Sequence, residues 1–126
     1  MHTQLHPKRL FILILSNNEL FGTVDLQHLS PAVRWVYLDQ NKLKRPVALT
    51  CLPRKLEKLN LSLNSIRQNT VWYDDLPESL LYVYFMPGKY SVVESSQRIG
   101  EIRCMDRLKA TKRKTVFYMV PAVNIH

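Results

Sequence analysis

The residues that decide the fold are 10–20, which read LFILILSNNEL. Apolar residues stand at the first, fourth, sixth and eleventh positions of this stretch, and asparagine stands at the ninth. The pattern returns in residues 33–43, VRWVYLDQNKL, and in residues 56–66, LEKLNLSLNSI, so that it recurs every 23 residues. A fourth copy, one residue late, reads LLYVYFMPGKY in residues 80–90 and carries Gly88 in place of asparagine. A repeat at a fixed period indicates an architecture of stacked units.

The segments that join these copies repeat as well. Each carries apolar residues at matching positions and ends at a proline, namely Val24-Asp25-Leu26 to Pro31, Val47-Ala48-Leu49 to Pro53, and Val71-Trp72-Tyr73 to Pro77. Proline fixes φ and lacks an N–H, so it suits the bend that leads the chain into the next strand. The segments are short and rich in β-branched residues, and we therefore expect extended or 3₁₀ turns here rather than regular helix.

Each copy of the pattern predicts a short strand followed by a turn. The apolar residues at the fourth and sixth positions bury one face of the strand, and a lone strand cannot cover that face. The copies are therefore expected to stack side by side into a parallel sheet over a shared core. Asn18, Asn41 and Asn64 fall just past the strands, where a side-chain amide can bond the backbone groups of a turn. Gly88 lacks such a side chain, so we expect the fourth copy to be degenerate or terminal.

From Leu5 to Tyr90 the chain resembles the leucine-rich repeat family, whose signature is L-x-x-L-x-L-x-x-N-x-L. Residues 15–26 and 52–61 are most similar to the leucine-rich repeat proteins of trypanosomatid protozoa. The resemblance implies an α/β-type repeat solenoid, a right-handed superhelix with a short parallel β-sheet on its concave side and extended or 3₁₀ segments on its convex side. It also implies a recognition scaffold rather than an enzyme, because repeat folds present an extended surface.

Two regions follow from where the repeat stops. Residues 1–94 form the expected solenoid, with repeats near 7–30, 31–52, 53–76 and 77–94, and residues 95–126 form a basic C-terminal cap or tail. In the second region, Ile99-x-x-Ile102-x-Cys104 suggests a strand, and residues 115–120 suggest another that pairs with the open sheet edge; a disordered basic tail is the alternative. Because the chain opens inside a repeat, we also consider a fragment of a longer array, or a truncated repeat fragment without independent function.

The strand residues between the core positions face the concave side of the predicted solenoid. They form three columns across the repeats: Ile12, Trp35, Lys58 and Tyr82; Ile14, Tyr37, Asn60 and Tyr84; and Ser16, Asp39, Ser62 and Met86. Tryptophan and tyrosine anchor protein interfaces because they bury large areas at little cost in entropy. We expect this face to bind another protein through the anchors Trp35, Tyr37, Tyr82 and Tyr84 and the polar contacts Asp39, Lys58 and Asn60. The alternative is that the rings only suit β-strands and cover neighbouring apolar surface.

The charge of the chain supports a second hypothesis. Its 18 Lys and Arg exceed its 10 Asp and Glu, and the net charge of +8 favours loose attraction to polyanions. The cluster Lys109-x-x-Lys112-Arg113-Lys114 suits phosphates, and exposed aromatic rings stack on single-stranded bases. The alternative function is therefore that of a basic nucleic-acid-binding module. Against it, other basic residues are scattered over the outer loops, at Lys42, Lys44, Arg45, Arg54 and Lys55.

The sequence carries no catalytic motif. It lacks a glycine-rich phosphate loop, a nucleophile elbow and a His-Glu-x-x-His sequence, so we expect no enzymatic activity and no cofactor. Its 4 histidines are not spaced as metal ligands, so no metal site is expected.

The length, 126 residues, allows one modest domain, and no apolar run approaches the roughly 20 residues that span a bilayer. The run from Leu10 to Leu15 is not followed by a small-residue cleavage site, which favours an intracellular location without naming a compartment. Cys51 and Cys104 are either two thiols or one disulfide. An open sheet edge also offers a route to dimerisation.

Overall fold

A computed structural model describes residues 11–23, 25–44, 46–86, 97–106, 114–118 and 124–125 of the chain. These residues hold ten β-strands and no helix. The strands are β1 (Ile12–Ile14), β2 (Phe21–Thr23), β3 (Trp35–Tyr37), β4 (Lys42–Lys44), β5 (Lys58–Asn60), β6 (Arg67–Tyr73), β7 (Tyr82–Tyr84), β8 (Arg98–Cys104), β9 (Val116–Tyr118) and β10 (Asn124–Ile125). Every strand pair in this part of the chain is parallel. The fold is therefore rich in strands and built from parallel sheets.

The largest sheet has five strands in the order β1-β3-β5-β7-β9, and we call it the central sheet. Its middle row consists of buried apolar residues, namely Leu13, Val36, Leu59, Val83 and Phe117. Successive partners in this row are 23, 23, 24 and 34 residues apart in the sequence. The register of the first four strands thus follows the sequence repeat, and a longer interval leads to the fifth.

Two smaller sheets are formed by segments that follow the central strands. β2 pairs with β4, and β8 lies between β6 and β10. Leu49 makes a single parallel bridge to Tyr73, so the segment after β4 also lies beside β6. The extended conformation expected for these segments is present. The described residues contain no 3₁₀ turns, which were the alternative expectation for these segments. They also contain no helices, so the expected α/β class is wrong for this part of the chain. Short segments rich in β-branched residues such as Thr70 and Val71 favour strands instead.

Apolar residues of the central sheet and of the outer segments form one core. Equivalent positions of successive repeats supply it, as with Val33, Leu56 and Leu80 before the central strands and Leu38, Leu61 and Phe85 after them. Burial of each such side chain stabilises the fold by about 1.5–3 kcal/mol. The rings of Tyr73 and Phe117, with centroids 5.9 Å apart, bring β6 and β9 into this core.

A column of side-chain amides follows the central strands. The amide nitrogen of Asn41 donates to backbone carbonyl oxygens of its own repeat and of the preceding one, at 2.8–3.1 Å. Its oxygen accepts from two backbone N–H groups of the preceding repeat, each at 2.9 Å. Asn64 makes the same kinds of contact one repeat later, at 2.9–3.2 Å. These amides pair turn backbone that has no strand partner, which is the role expected from their place in the repeat.

The fourth repeat keeps this contact through Gln97, whose side chain is 0% exposed. Its oxygen accepts from two N–H groups of the preceding repeat at 3.2 and 3.4 Å, and its nitrogen donates to Leu61 and Phe85 carbonyl oxygens at 3.0 and 2.8 Å. Gly88, on which the prediction of a degenerate or terminal fourth copy rests, lies outside the described residues, so that prediction stays a prediction. Gln97 follows Phe85 by 12 residues, whereas Asn64 follows Leu61 by 3, so extra chain displaces the amide along the sequence.

Strands β8, β9 and β10 all lie in residues 95–126. β9 pairs with β7 and adds to the edge of the central sheet, as expected for residues 115–120. β8, which contains the Ile99 to Cys104 stretch, pairs with β6 instead. The described part of this region therefore continues the sheets of the preceding residues. Cys104 is buried, Cys51 is exposed, and both are free thiols rather than a disulfide.

Candidate functional site

The side of the central sheet that faces away from the core is lined by alternate strand residues, and we call it the aromatic face. Its first row is Ile12, Trp35, Lys58, Tyr82 and Val116, and its second row is Ile14, Tyr37, Asn60, Tyr84 and Tyr118. All of these side chains are half-buried or exposed, because successive residues of a strand point to opposite sides of the sheet. Strand pairing thus aligns the first two columns that the repeat predicts.

The structure brings six of the seven candidate binding residues onto this face: Trp35, Tyr37, Lys58, Asn60, Tyr82 and Tyr84. The seventh, Asp39, lies just past β3 and accepts a hydrogen bond from the Ser16 hydroxyl at 2.7 Å. The side-chain oxygen of Asn60 accepts from the backbone N–H and the hydroxyl of Ser62, at 3.0 and 2.6 Å. Asp39 and Asn60 therefore hold the chain where strands end, in addition to their place beside the aromatic rings.

Three tyrosines form a cluster at the C-terminal end of the aromatic face. The ring of Tyr82 lies 6.0 Å from the rings of Tyr84 and Tyr118. Tyr84 and Tyr118 occupy adjacent strands in register, and their rings are stacked at 4.7 Å with an angle of 5° between the planes. Offset and stacked rings at these distances attract each other by about 0.5–1.5 kcal/mol. The three rings of the cluster therefore stabilise one another's positions on the sheet.

The surroundings of Tyr84 disfavour the ionised form of its hydroxyl. Partial burial is the largest cause, and repulsion from Tyr118, Tyr82 and Tyr37 adds to it, so the pKa of Tyr84 is raised above its ordinary value of 10.0. The hydroxyl therefore stays a neutral hydrogen-bond donor and acceptor at neutral pH.

Trp35 is held in place from two sides near the other end of the face. Its indole N–H donates to the carboxylate of Glu57 at 3.1 Å, and the ammonium of Lys58 lies 4.8 Å from the ring centroid. A cation over an indole ring is attracted by about 0.5–2 kcal/mol, depending on exposure. A shallow hollow of about 300 Å³ opens beside this residue, lined by Phe11, Ile12, Arg34, Trp35 and Glu57.

The sequence reasoning missed residues at both ends of the face. Tyr118 and Val116 extend its two rows, although only the strand and not its register could be read from residues 115–120. The interval of 34 residues from Val83 to Phe117 breaks the period, so the repeat alone could not align them. Glu57 and Arg34 precede their strands by one residue and were not part of any predicted column.

Of the basic cluster Lys109-x-x-Lys112-Arg113-Lys114, only Lys114 is among the described residues, and it is exposed. Within the described residues, no group of three or more potential ligand side chains could hold a metal ion. The same residues contain no helix with the length and apolarity needed to cross a membrane.

The arrangement on the aromatic face offers contact area and hydrogen-bonding groups. Its rings are large, half-exposed and fixed by neighbours, and its polar groups stand around them. Comparison of the chain with protein-family models, with curated proteins and with solved structures found no match.

Proposed function

We propose that this chain is a leucine-rich repeat solenoid that acts as a non-enzymatic scaffold and binds another protein through the aromatic face. Parallel strands that recur at nearly constant sequence intervals support the solenoid, and so does the amide column at Asn41, Asn64 and Gln97. A right-handed superhelix is part of the proposal, because crossover connections between parallel strands are right-handed in almost all proteins.

The observation that carries the binding proposal is the alignment of Tyr82, Tyr84 and Tyr118 in one half-exposed cluster. Tyrosine and tryptophan supply most of the energy at many protein interfaces, because each buries a large area and retains a polar tip. Rings that are already stacked lose little further freedom on binding, which favours affinity. Trp35, held by Glu57 and Lys58, adds a second anchor of the same kind.

The charges around the face favour a protein over a nucleic acid as its partner. Arg34 and Lys58 contribute two positive charges, and Asp39 and Glu57 contribute two negative charges. A balanced set of charges around aromatic rings is typical of protein interfaces, whereas surfaces that bind nucleic acids carry a clear excess of positive charge.

The test compares two variants that remove exposed or half-exposed aromatic rings from different places. One carries Trp35→Ala, Tyr82→Ala and Tyr84→Ala on the aromatic face. The control carries Phe21→Ala and Trp72→Ala, which remove rings that are 77% and 42% exposed on the smaller sheets. Each protein, confirmed as folded by circular dichroism, is used to capture partners from a nuclease-treated lysate.

We expect the intact chain and the control variant to capture the same protein, and the aromatic-face variant to lose it. The captured protein, once purified, should bind the face variant at least about tenfold more weakly than the intact chain, since a single interface anchor contributes about 2 kcal/mol or more. Capture that depends on nucleic acid, or that survives removal of the three rings, would contradict the proposal.

A further inference from the structure

A second surface lies on the smaller sheets, away from the aromatic face. The exposed positions of β4 and of the first halves of β6 and β8 carry Lys42, Lys44, Arg67 and Arg98, and we call these four residues the basic row. The remaining exposed positions there are Asn69 and Gly100, and the acidic residue that follows them in β8, Glu101, accepts from Thr70 and Arg103.

Backbone hydrogen bonds link the segments that carry these four cations. The N–H of Ser65 donates to Leu43, which lays the segment that enters β6 beside β4. β6 then pairs with β8, with Arg67 and Arg98 as direct partners. The basic row therefore spans two paired strands, β6 and β8, and β4, which contacts the residues that precede β6.

The direct pairing of Arg67 with Arg98 is the most informative contact in this row. Like charges on directly opposed residues of adjacent strands repel and destabilise the sheet. The guanidinium of Arg98 is anchored by a bond to the carbonyl oxygen of Gln97 at 2.8 Å. An anion that accepts hydrogen bonds from both guanidinium groups would offset the repulsion.

The space between the two arginines is open to such an anion. A hollow of about 480 Å³ is lined by Arg67, Gln68, Asn69, Arg98, Ile99 and Gly100. A Cβ atom on Gly100 would clash with the carbonyl oxygen of Asn69, so glycine is required where the strands approach closely. Gly100 adds no side chain to the lining of the hollow, and the two arginines supply forked donors that suit phosphate oxygens.

We propose that the basic row binds the phosphodiester backbone of a nucleic acid, with Arg67 and Arg98 sharing one phosphate and Lys42 and Lys44 meeting the next ones. A phosphodiester chain carries one negative charge per nucleotide, so it can meet cations at successive positions, which a single small anion cannot do. The surface is distinct from the aromatic face, because its residues lie on β4, β6 and β8 and none belongs to the central sheet.

The experiment measures binding of the full chain to a short labelled poly-U RNA by fluorescence anisotropy at several salt concentrations. The test variant carries Arg67→Gln and Arg98→Gln. The control variant carries Lys55→Gln and Lys114→Gln, which remove two charges from exposed positions elsewhere. A third variant, Arg67→Lys with Arg98→Lys, keeps both charges but loses the forked donors.

We expect the Arg67→Gln/Arg98→Gln variant to bind at least about tenfold more weakly and to reduce the salt slope by about 0.7, since the two arginines share one phosphate and each phosphate contact on a single strand contributes about 0.7. The lysine variant should fall between it and the intact chain, and the control should stay close to the intact chain. Three results would overturn the proposal: no RNA binding by the intact chain, equal loss in the control, or equally tight binding of poly-glutamate through the same two arginines. Competition by inorganic phosphate without any binding of RNA would overturn it as well.

Discussion

At the scale of single residues, buried amides hold the turns that follow the central strands. Asn64 is 4% exposed and donates to three backbone carbonyl oxygens, while its oxygen accepts from the N–H of Leu43. The three carbonyl oxygens also accept from other donors, namely the Asn41 side chain, the Gln97 side chain and the Gln40 backbone N–H. Without Asn64, the buried N–H of Leu43 would lose its side-chain acceptor, which costs about 1–3 kcal/mol.

Replacement of Asn64 by alanine should therefore lower the free energy of unfolding by about 1–3 kcal/mol, as measured by urea denaturation. Asn18 stands at the equivalent position of the first repeat but is exposed, and among the described residues its side chain donates only to the carbonyl oxygen of Ser16. The change Asn18→Ala should cost less than about 1 kcal/mol. Similar costs at the two positions would show that the buried contacts of Asn64 are not what the turns depend on.

The raised pKa of Tyr84 gives a pH dependence that can be attributed to one residue. The folded chain keeps the proton of Tyr84 above the ordinary value of 10.0, whereas the unfolded chain releases it near that value. Below pH 10.0 both the folded and the unfolded chain hold the proton of Tyr84, so the contribution of Tyr84 to stability is constant. This contribution is lost as the pH rises through the raised pKa of Tyr84 in the folded chain.

Denaturation of the intact chain and of Tyr84→Phe should therefore give stability curves that run parallel below about pH 10. Above that pH, the intact chain should lose stability relative to Tyr84→Phe. Curves that stay parallel through the alkaline range would show that neither burial nor the neighbouring tyrosines affect ionisation at this position.

At the scale of elements, the last strand of the central sheet depends on one large side chain. Phe117 is 8% exposed and packs against Tyr73 in the core, while the N–H of Val116 donates to Leu81 at 2.8 Å. β9 is only three residues long, and Phe117 is its one side chain buried in the core; Tyr118 adds a stacked ring and accepts from the N–H of Phe85.

The change Phe117→Ala should lower the free energy of unfolding by about 3–5 kcal/mol, the usual cost of removing a buried ring. It should also remove the hydrogen-exchange protection of the Val116 amide before the rest of the central sheet is affected. Val116→Ala removes a neighbouring side chain that is 47% exposed and serves as the control, with an expected cost below about 1 kcal/mol. A β9 that stays protected in Phe117→Ala would contradict this explanation.

The elements differ in how far the sequence could predict them. The 23-residue period predicts β1, β3 and β5 together with their register, because it places Leu13, Val36 and Leu59 at one repeat position. It could not predict how the fourth repeat closes. The amide that bonds this turn belongs to Gln97, which comes later in the sequence than the asparagine position of the repeat. An amide that is displaced in this way leaves no periodic signal.

The candidate site shows the same division. Alternation along the strands places Trp35, Tyr37, Tyr82 and Tyr84 on one side of the sheet, since the side-chain period of a strand is two. The stacking of Tyr118 on Tyr84 joins residues that are 34 positions apart, and it requires the strand register to be known.

At the scale of the whole molecule, charge is distributed unevenly over two surfaces. The aromatic face carries balanced charges beside its rings, whereas the basic row carries four cations. The net charge of +8 therefore does not describe the aromatic face. A protein on that face and a polyanion on the basic row would occupy different sheets, so one molecule of this chain has room for both.

The most direct test of the proposed function asks which surface touches a protein in solution. A photoreactive phenylalanine analogue replaces Tyr118 in the aromatic face or, in a second protein, the exposed Trp72 of β6. Each protein is irradiated in a nuclease-treated lysate, and the adducts are identified by mass spectrometry. We predict a discrete protein adduct from position 118 that is missing from position 72. The same adducts from both positions, or none from position 118, would contradict binding through the aromatic face.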